Sequence, residues 1–328
     1  MFYLINFTNL INLLNFYSRF LYLSPIKLYN YLMKKLAFLI LLSASTLFAA
    51  FPLTITDDVG LTAVINKEPL RIVSLGPSNT EILFSLGLGE RVCGVTSYCN
   101  FPEAAKKKEK VGDFITPNIE KILSLRPDLV LCAGGVQKDL ALKLKSLNIA
   151  AVTLYPKNLE EILNGINTIG LACGKDKEAA EYSGSLKKRL AAVRARVKGL
   201  ARPKVYLEIW NAPLTSAGKG SFVDELISVS GGENIFSGTD QTFPNVGPEE
   251  VVMRNPDIIV TAYMDKAGRM KKEIAGRQGW GSIKAVKSGK IFDEIDSDIL
   301  LRAGPRLVDG IEALAEKLHP SALKKEIK

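Results

Sequence analysis

Residues 118–131 read Asn-Ile-Glu-Lys-Ile-Leu-Ser-Leu-Arg-Pro-Asp-Leu-Val-Leu, and residues 247–260 repeat the pattern as Gly-Pro-Glu-Glu-Val-Val-Met-Arg-Asn-Pro-Asp-Ile-Ile-Val. In each segment a glutamate, Glu120 or Glu249, stands seven residues before a Pro-Asp pair that opens an apolar run. Because proline disfavours helix in the residue before it, each segment predicts a short helix, a stop, and then a buried parallel strand. The repeat therefore indicates two similar lobes, each with an acidic helix start.

The rest of the chain supports this division into two lobes. Predicted strands and helices alternate in residues 51–174 and again in residues 202–328. Such alternation implies an α/β fold with Rossmann-like lobes, in which helices cover both faces of a parallel sheet. Residues 175–201 between them contain an apolar stripe at helical spacing, which predicts one helix of roughly 35 Å. A single stiff connection of this kind predicts a small hinge motion between the lobes.

The amino-terminal 50 residues have the composition of a leader. Residues 33–50 begin with lysines, continue with an apolar core and end in small residues, which predicts a secretory signal peptide cleaved near Ala49 or Ala50. Residues 1–32 are interpreted as a mis-annotated or disordered extension ahead of a true start at Met33; the alternative is a membrane-associated segment. The first cysteine after the cleavage point is Cys93, so we expect no lipid anchor, and a soluble, exported, periplasmic protein.

Composition excludes several classes of function. The net charge of +9 is spread without an interleaved aromatic platform, which argues against nucleic-acid binding. His319 is the only histidine, which argues against a histidine-based triad or a zinc centre. No complete nucleotide-binding glycine loop is present, and Lys219 is interpreted as part of a turn. We expect a protein that is not an enzyme and has neither metal nor cofactor.

The four cysteines leave two interpretations open. Cys93, Cys99, Cys132 and Cys173 would meet an oxidising compartment, which permits disulfides, and Cys93 with Cys99 is the nearest candidate pair. The alternative is that they are small buried residues at strand ends.

Several motifs, in order, resemble one known family. Besides the two repeated segments they are Arg71-Ile-Val-Ser-Leu-Gly-Pro-Ser-Asn-Thr-Glu81, Val95-Thr-Ser-Tyr-Cys-Asn-Phe-Pro102, Gly231-Gly-Glu-Asn-Ile-Phe236, and Ser297-Asp-Ile-Leu-Leu-Arg302 before Gly304-Pro-Arg306. Over residues 71–318 the chain resembles the substrate-binding proteins of ABC importers for cobalamin and for iron complexes such as siderophores and haem. The likeness is greatest to the cobalamin-binding members.

The resemblance implies a ligand cleft between the lobes and a docking surface at their tips. Implied ligand contacts are Tyr98, Phe114, Trp210, Phe243, Asp298 and Arg302. Glu120 and Glu249 match lobe-tip acids that meet arginines of a membrane permease. A further pocket tryptophan of the cobalamin proteins aligns with Ala133 here, which puts the preference for corrins in doubt.

Several of these residues also have a purely structural interpretation. Glu120 and Glu249 would favour a helix start through the helix dipole alone. Phe114 and Phe243 could be core rings, and Trp280 is assigned to the core. Asp298 and Arg302, four residues apart on a helix, could form an ordinary exposed ion pair. A further sequence signature, Ser78 followed by Glu81, predicts a capping box, although a helix start at a strand end is also where ligands bind α/β sheets.

The sequence therefore predicts a monomeric receptor that captures cobalamin or a related corrinoid, and delivers it to a permease with a separate ATPase. The first alternative keeps the class and changes the ligand to a ferric siderophore or haem. The second alternative belongs to another class of protein: an exported enzyme of similar bilobal fold, which would hold a metal or cluster if the four cysteines converged. A sensor or scaffold receptor would differ only in its partner.

Overall fold

A computed structural model describes Met33, residues 51–263 and residues 270–323. The predicted extension 1–32 and the predicted signal peptide 33–50 lie outside the described residues, apart from Met33. In the described part of the chain, no helix combines the length and the hydropathy needed to cross a bilayer.

The N-terminal lobe is built on a parallel sheet of five strands in the order β5-β4-β3-β6-β7. Its strands are β3 Ile72–Ser74, β4 Val92–Val95, β5 Glu109–Lys110, β6 Leu129–Ala133 and β7 Ala150–Leu154. Its helices are α1 Pro77–Ser85, α2 Glu103–Lys106, α3 Ile119–Ser124, α4 Lys138–Ser146 and α5 Leu159–Ala172. An antiparallel hairpin that the sequence patterns did not predict, β1 Leu53–Thr56 with β2 Thr62–Ile65, precedes the sheet.

The C-terminal lobe is also built on parallel strands and helices, with one added antiparallel strand. Parallel strands lie in the order β10-β8-β11-β12, and β9 pairs antiparallel with β8. The strands are β8 Lys204–Asn211, β9 Leu214–Ser216, β10 Glu233–Asn234, β11 Ile258–Thr261 and β12 Ile291–Phe292. The described helices are α7 Phe222–Val229, α8 Pro248–Arg254, α9 Met270–Ala275, α10 Lys284–Lys287, α11 Ser297–Leu301, α12 Leu307–Leu318 and α13 Pro320–Leu323. Strand β12 is short because the chain leaves the sheet at Asp293, whose carboxylate accepts a hydrogen bond from the backbone of Lys271.

The repeated segments form matching units. Helices α3 and α8 each end before the proline, with Ser124 and Arg254 as their last residues. The residues directly before the prolines, Arg126 and Asn255, have positive φ angles of 46° and 48°. The aspartate after each proline then accepts backbone hydrogen bonds from the strand next to its own: Asp128 from Leu70 and Arg71, both at 3.0 Å, and Asp257 from Lys204 at 2.9 Å. The Pro-Asp pair therefore stops a helix and holds two neighbouring strands in register.

Alternate residues of the strands face two different cores. Ile72 in β3 and Val205 in β8 belong to one apolar cluster that runs through both lobes, whereas Val73 and Tyr206 belong to separate outer clusters, one in each lobe. Burial on both faces explains why the strands read as nearly continuous apolar runs. The shared cluster makes the two lobes parts of one packed body.

Helix α6, Asp176–Val197, connects the lobes. Its 22 residues at 1.5 Å each make a rod of roughly 33 Å, which packs on α5 on one side and on α7 and α12 on the other. Leu186, Leu190, Val193 and Val197 of the predicted stripe are buried, each contributing about 1.5–3 kcal/mol. The helix ends at Val197, before the predicted residues 198–201, because Gly199 has a positive φ of 78°.

The four cysteines are free thiols, so the candidate Cys93–Cys99 disulfide does not form. Cys99 is buried and hydrogen-bonds with the hydroxyl groups of Thr80 and Thr96 at 3.1 and 3.3 Å. Burial raises the pKa of Cys132 and of Cys173 to about 12. The interpretation as small buried side chains therefore describes these residues, apart from Cys93, which is half-buried.

Candidate ligand-binding site

A cavity of about 430 Å³ lies between the lobes. Its N-terminal wall comes from residues at or after the carboxyl ends of the five strands β3 to β7. Ligands meet α/β sheets at such ends because strand ends and helix starts leave polar backbone groups accessible. Its C-terminal wall comes from the start of α7 and from α11 with the residues after it. The lining residues are Pro77, Ser78, Tyr98, Phe114, Ile115, Ala133, Gly134, Leu154, Tyr155, Pro156, Phe222, Ser297, Asp298, Leu301, Arg302 and Ala303.

Four aromatic rings dominate this lining. Tyr98, Phe114 and Tyr155 come from the N-terminal lobe, and Phe222 comes from the first turn of α7 in the C-terminal lobe. The loop that carries Phe114 is held by Gln137, a buried amide that donates a 2.7 Å hydrogen bond to the carbonyl of Phe114 and accepts one from the backbone of β6. Rings contributed by both lobes can bury a flat ligand between them.

The cavity brings together four of the six predicted ligand contacts, Tyr98, Phe114, Asp298 and Arg302. Phe243 is absent from the lining and instead meets Phe222 edge to face, with ring centroids 6.3 Å apart.

Trp210 does not line this cavity either. It lies near the end of β8, is 53% exposed, and donates its indole N–H to the carbonyl of Ala212. Trp280 is fully buried, as its assignment to the core predicts. Ala133, which the family resemblance aligns with a pocket tryptophan, lines the cavity.

Asp298 and Arg302 are not an exposed surface pair, because their side chains are only 16% and 11% exposed. Their charged groups lie 2.8 Å apart. Both also contact the opposite lobe through Asn100, which donates to Asp298 at 2.9 Å and accepts from Arg302 at 2.7 Å. The pair therefore forms part of the seam between the lobes as well as part of the cavity wall.

The prediction of a capping box at Ser78 and Glu81 is wrong. Helix α1 has Gly76 as its N-cap and Pro77 in its first turn, and no side chain caps it. The side chain of Glu81 is only 1% exposed and accepts from Arg302 at 3.2 Å and from Arg306 at 3.4 Å. Burial raises the pKa of Glu81, while the charges of Arg306 and Arg302 oppose that shift.

Glu120 and Glu249 occupy the same position in their helices. Each follows the first residue of its helix, α3 or α8, and each is exposed. Helix α3 is capped by the side chain of Asn118, which accepts from the backbone of Lys121, so Glu120 is not needed as a cap. Among the described residues neither carboxylate forms an ion pair, which leaves both available to a partner.

Sequence patterns missed three residues of this region. Tyr155 directly follows β7, and Phe222 opens α7 after the segment interpreted as a turn; the rule that ligands meet strand ends would have flagged both. The indication that Glu81 has a partner is its position, because it is an acidic residue between two buried neighbours in helix α1.

Metal chemistry finds no support among the described residues, where no group of three or more histidine, cysteine, aspartate or glutamate side chains could hold an ion. The four cysteines in particular do not form such a group.

Comparison with known proteins agrees with this two-lobed architecture. The family described as "Periplasmic binding protein" matches residues 72–297. The ABC transporter substrate-binding lipoprotein YvrC of Bacillus subtilis (strain 168) is 38% identical over 283 residues, which cover 84% of this chain and 88% of that protein. The vitamin B12-binding protein of Salmonella paratyphi A is 30% identical over 249 residues, which cover 76% of this chain and 90% of the relative.

A solved structure shows the same fold. The crystal structure of a possible iron-binding, periplasmic solute-binding protein from Staphylococcus epidermidis ATCC 12228 is 31% identical, with a TM-score of 0.68. The matched region covers 77% of this chain and 100% of the Staphylococcus chain.

The fold thus defines a two-lobed α/β protein of the solute-binding class. The chain belongs to the periplasmic binding protein family. It is a substrate-binding protein of an ABC transporter, which binds a small-molecule ligand and delivers it to a permease, and it is not an enzyme. The predicted family and α/β fold class are confirmed.

One prediction is overturned by the same comparisons. We expected a soluble protein free in the periplasm, because Cys93 is the first cysteine after the predicted cleavage point. The 38% identical relative is a lipoprotein, which indicates attachment to a membrane through a lipid. The prediction of a free periplasmic protein is therefore wrong.

Proposed function

We propose that this protein captures cobalamin or a related corrinoid in the interlobe cavity and delivers it to its permease. The observation that carries the proposal is the lining of the cavity, in which Tyr98, Phe114 and Tyr155 of one lobe face the same space as Phe222 of the other. Stacking and area burial on such rings suit a large flat macrocycle, each ring contributing about 1.5–3 kcal/mol at most.

The charge of the cavity supports a ligand without net negative charge. Within the described part of the chain, Asp298 and Arg302 are the charged residues of the lining, and they neutralise each other. Arg302 is further engaged by Glu81 of the other lobe. An anionic ferric siderophore would have to replace these contacts, because a guanidinium that already meets two carboxylates offers little to a third anion.

The cavity would enclose only part of a corrinoid, which is larger than this space. Its volume of about 430 Å³ falls in the usual range of small-molecule pockets, roughly 300–1,000 Å³. Tyr98, Ile115 and Tyr155 line it while remaining exposed, so they form its mouth. A ligand larger than the cavity would extend past these three side chains towards solvent.

The name of one relative also supports a corrinoid ligand. The name of the Salmonella relative states that it binds vitamin B12, and that protein covers most of this chain. We further propose that the receptor acts as a monomer, holds no cofactor of its own, and uses Glu120 and Glu249 to dock on a permease driven by a separate ATPase.

A ferric siderophore or haem is the second candidate ligand. It is favoured by the Staphylococcus structure, whose description names iron binding. Arg302 lines the cavity and would be the cation for a carboxylate or catecholate.

Calorimetric titration with cyanocobalamin, haemin and a ferric catecholate tests the choice. We expect saturable binding of cyanocobalamin, weakened by about tenfold or more in Phe222→Ala and in Tyr155→Ala, because each removes a ring from the lining. Leu147→Ala, an exposed apolar residue outside the cavity, serves as the matched control. Binding of haemin or the catecholate with no response to cyanocobalamin would refute the corrinoid proposal and support the second candidate.

The same titration tests whether Trp210, which the family resemblance implies as a ligand contact but which does not line the cavity, affects ligand affinity. If only the cavity lining binds the ligand, Trp210→Ala changes affinity by less than about threefold. A large loss in Trp210→Ala would instead assign the ligand a larger footprint, which reaches the end of β8.

A further inference from the structure

A charged cluster joins the two lobes beside the cavity. Glu81, on α1 of the N-terminal lobe, accepts from two arginines of the C-terminal lobe, Arg302 directly after α11 and Arg306 directly before α12. Neither Glu81 nor Arg306 lines the ligand cavity, whereas Arg302 does. We call these three residues the interlobe clasp.

Contacts around the clasp keep the lobes close. Asn100 bonds to Asp298 and Arg302 across the seam, and the guanidinium of Arg306 stacks on the ring of Phe101 at 4.0 Å. A side chain on Gly304 would place its Cβ 3.0 Å from the Cβ of Ser78, so the backbones of the two lobes approach closely at this point.

The arrangement depends on the carboxylate. Two guanidinium groups converge on one oxygen of Glu81, while Asp298 and Asp296 of the C-terminal lobe pair separately with Arg302 and Arg306. Of these three carboxylates only Glu81 belongs to the N-terminal lobe, so its loss removes the charge attraction across the seam and leaves both guanidinium groups without that partner in a poorly hydrated place. Removing one partner of a buried ion pair strongly destabilises the arrangement that buries it. Separation of the lobes would relieve this cost by exposing both arginines to water.

We propose that the interlobe clasp holds the lobes at the spacing that grips the ligand, and that the permease must break it to release the ligand. Glu81 and Arg306 are thus positioning residues, which act on the ligand without touching it. The cavity cannot widen at the Ser78 and Arg302 wall while Glu81 retains both arginines. The first half of the proposal stands on the geometry alone, and the second half rests on the proposed transport function.

A matched control exists inside the same protein. Glu208, on β8, is fully buried and forms a bidentate pair with Arg277, with both N–O distances 2.7 Å. This pair has the chemistry and the burial of the clasp, but both residues belong to the C-terminal lobe. Glu208→Gln therefore reports what loss of a buried carboxylate does when no interlobe contact is lost.

The first experiment measures the spacing of the lobes in the ligand-free protein. Spin labels at Lys143 on α4 and Lys287 on α10, both exposed, report the distance by pulsed electron resonance in a Cys93→Ser background. We expect one narrow distance in the parent. Glu81→Gln and Arg306→Gln should add a longer-distance population, raising the open-to-closed ratio more than about tenfold. Glu208→Gln should keep the parent distribution.

The second experiment measures ligand exchange. Cyanocobalamin should dissociate at least about tenfold faster from Glu81→Gln and Arg306→Gln than from Glu208→Gln, and the double variant should add little to either single one because the two act as a unit. Failure of the parent to bind cyanocobalamin would refute the proposed ligand and leave the spacing experiment decisive. Parent-like distances in Glu81→Gln would overturn the clasp, whatever the ligand.

Discussion

Docking on the permease should depend on Glu120 and Glu249 far more than folding does. Both carboxylates are exposed at the start of a helix, and among the described residues neither forms an ion pair. Their contribution to the folded protein is then limited to the helix dipole, about 0.3–1 kcal/mol each. Loss of both would lower the unfolding free energy by less than about 2 kcal/mol.

The cost at the permease should be larger. Truncating one partner of a charge pair that becomes buried in an interface costs about 2–5 kcal/mol, a loss of roughly 30-fold or more in affinity. Two such sites on separate lobes should act nearly independently, so the losses in Glu120→Gln and Glu249→Gln should multiply in the double variant. The Lys–Lys double variant should abolish uptake, because it would place like charges against the basic permease residues that we propose these acids meet.

The assay is surface plasmon resonance of ligand-loaded protein on the permease complex in nanodiscs, at several salt concentrations. Glu250→Gln is the control, because Glu250 lies in the same helical turn as Glu249 but pairs with Arg254 of its own helix at 2.7 Å. Its docking should stay within about threefold of the parent. Parent-like docking of the double Gln variant, or a loss of ligand affinity in it, would refute the assigned roles.

Three further predictions concern stability and reactivity. Asp128→Ala should lower the unfolding free energy by about 1–3 kcal/mol in urea, because two backbone amides lose a charged acceptor. Burial raises the pKa of Asp128, but the two hydrogen bonds and a nearby lysine outweigh burial, so the pKa in the folded protein is lowered. The stability that Asp128 contributes is therefore present above pH ~4 and is lost as the pH falls through the folded-state pKa. Equal destabilisation by Asp128→Ala at pH 3 and at pH 7 would contradict this prediction. Gly76→Ala should destabilise by about 1–3 kcal/mol, since its Cβ would lie 2.5 Å from that of Ala133, and a parent-like melting temperature would refute the crowding. Cys132 and Cys173, with pKa values of about 12, should resist iodoacetamide at pH 8 until urea unfolds the chain; rapid labelling of the native protein would show that they are not buried.

The two parallel sheets followed from local patterns. The Pro-Asp repeat, the continuous apolar runs and the stripe on α6 each reflect interactions that operate within a few residues, such as the restriction that proline places on its neighbour. For the same reason local patterns do not fix where each element ends. Helix α6 stops three residues before Leu200. The β1–β2 hairpin was not predicted, although its alternating runs flank the turn-forming residues Asp57-Asp58-Val59-Gly60.

The candidate site depends on contacts between residues that lie far apart in the chain. Glu81 satisfies the spacing of a capping box, and its actual partners lie 221 and 225 residues away in the chain. Phe243 and Trp210 are aromatic and fall where the resemblance places ring contacts, but the cavity is lined instead by Tyr155 and Phe222.

The sequence by itself determined the fold class, the family and the paired acidic helix starts, because periodicity and ordered motifs are properties of short segments. Only the tertiary structure decided which side chains line the cavity and which ones fasten the lobes together. Those contacts depend on how two separately patterned lobes pack against α6, and no single segment carries that geometry. Glu81 illustrates the difference, since its role follows from two arginines that only the folded chain brings to it.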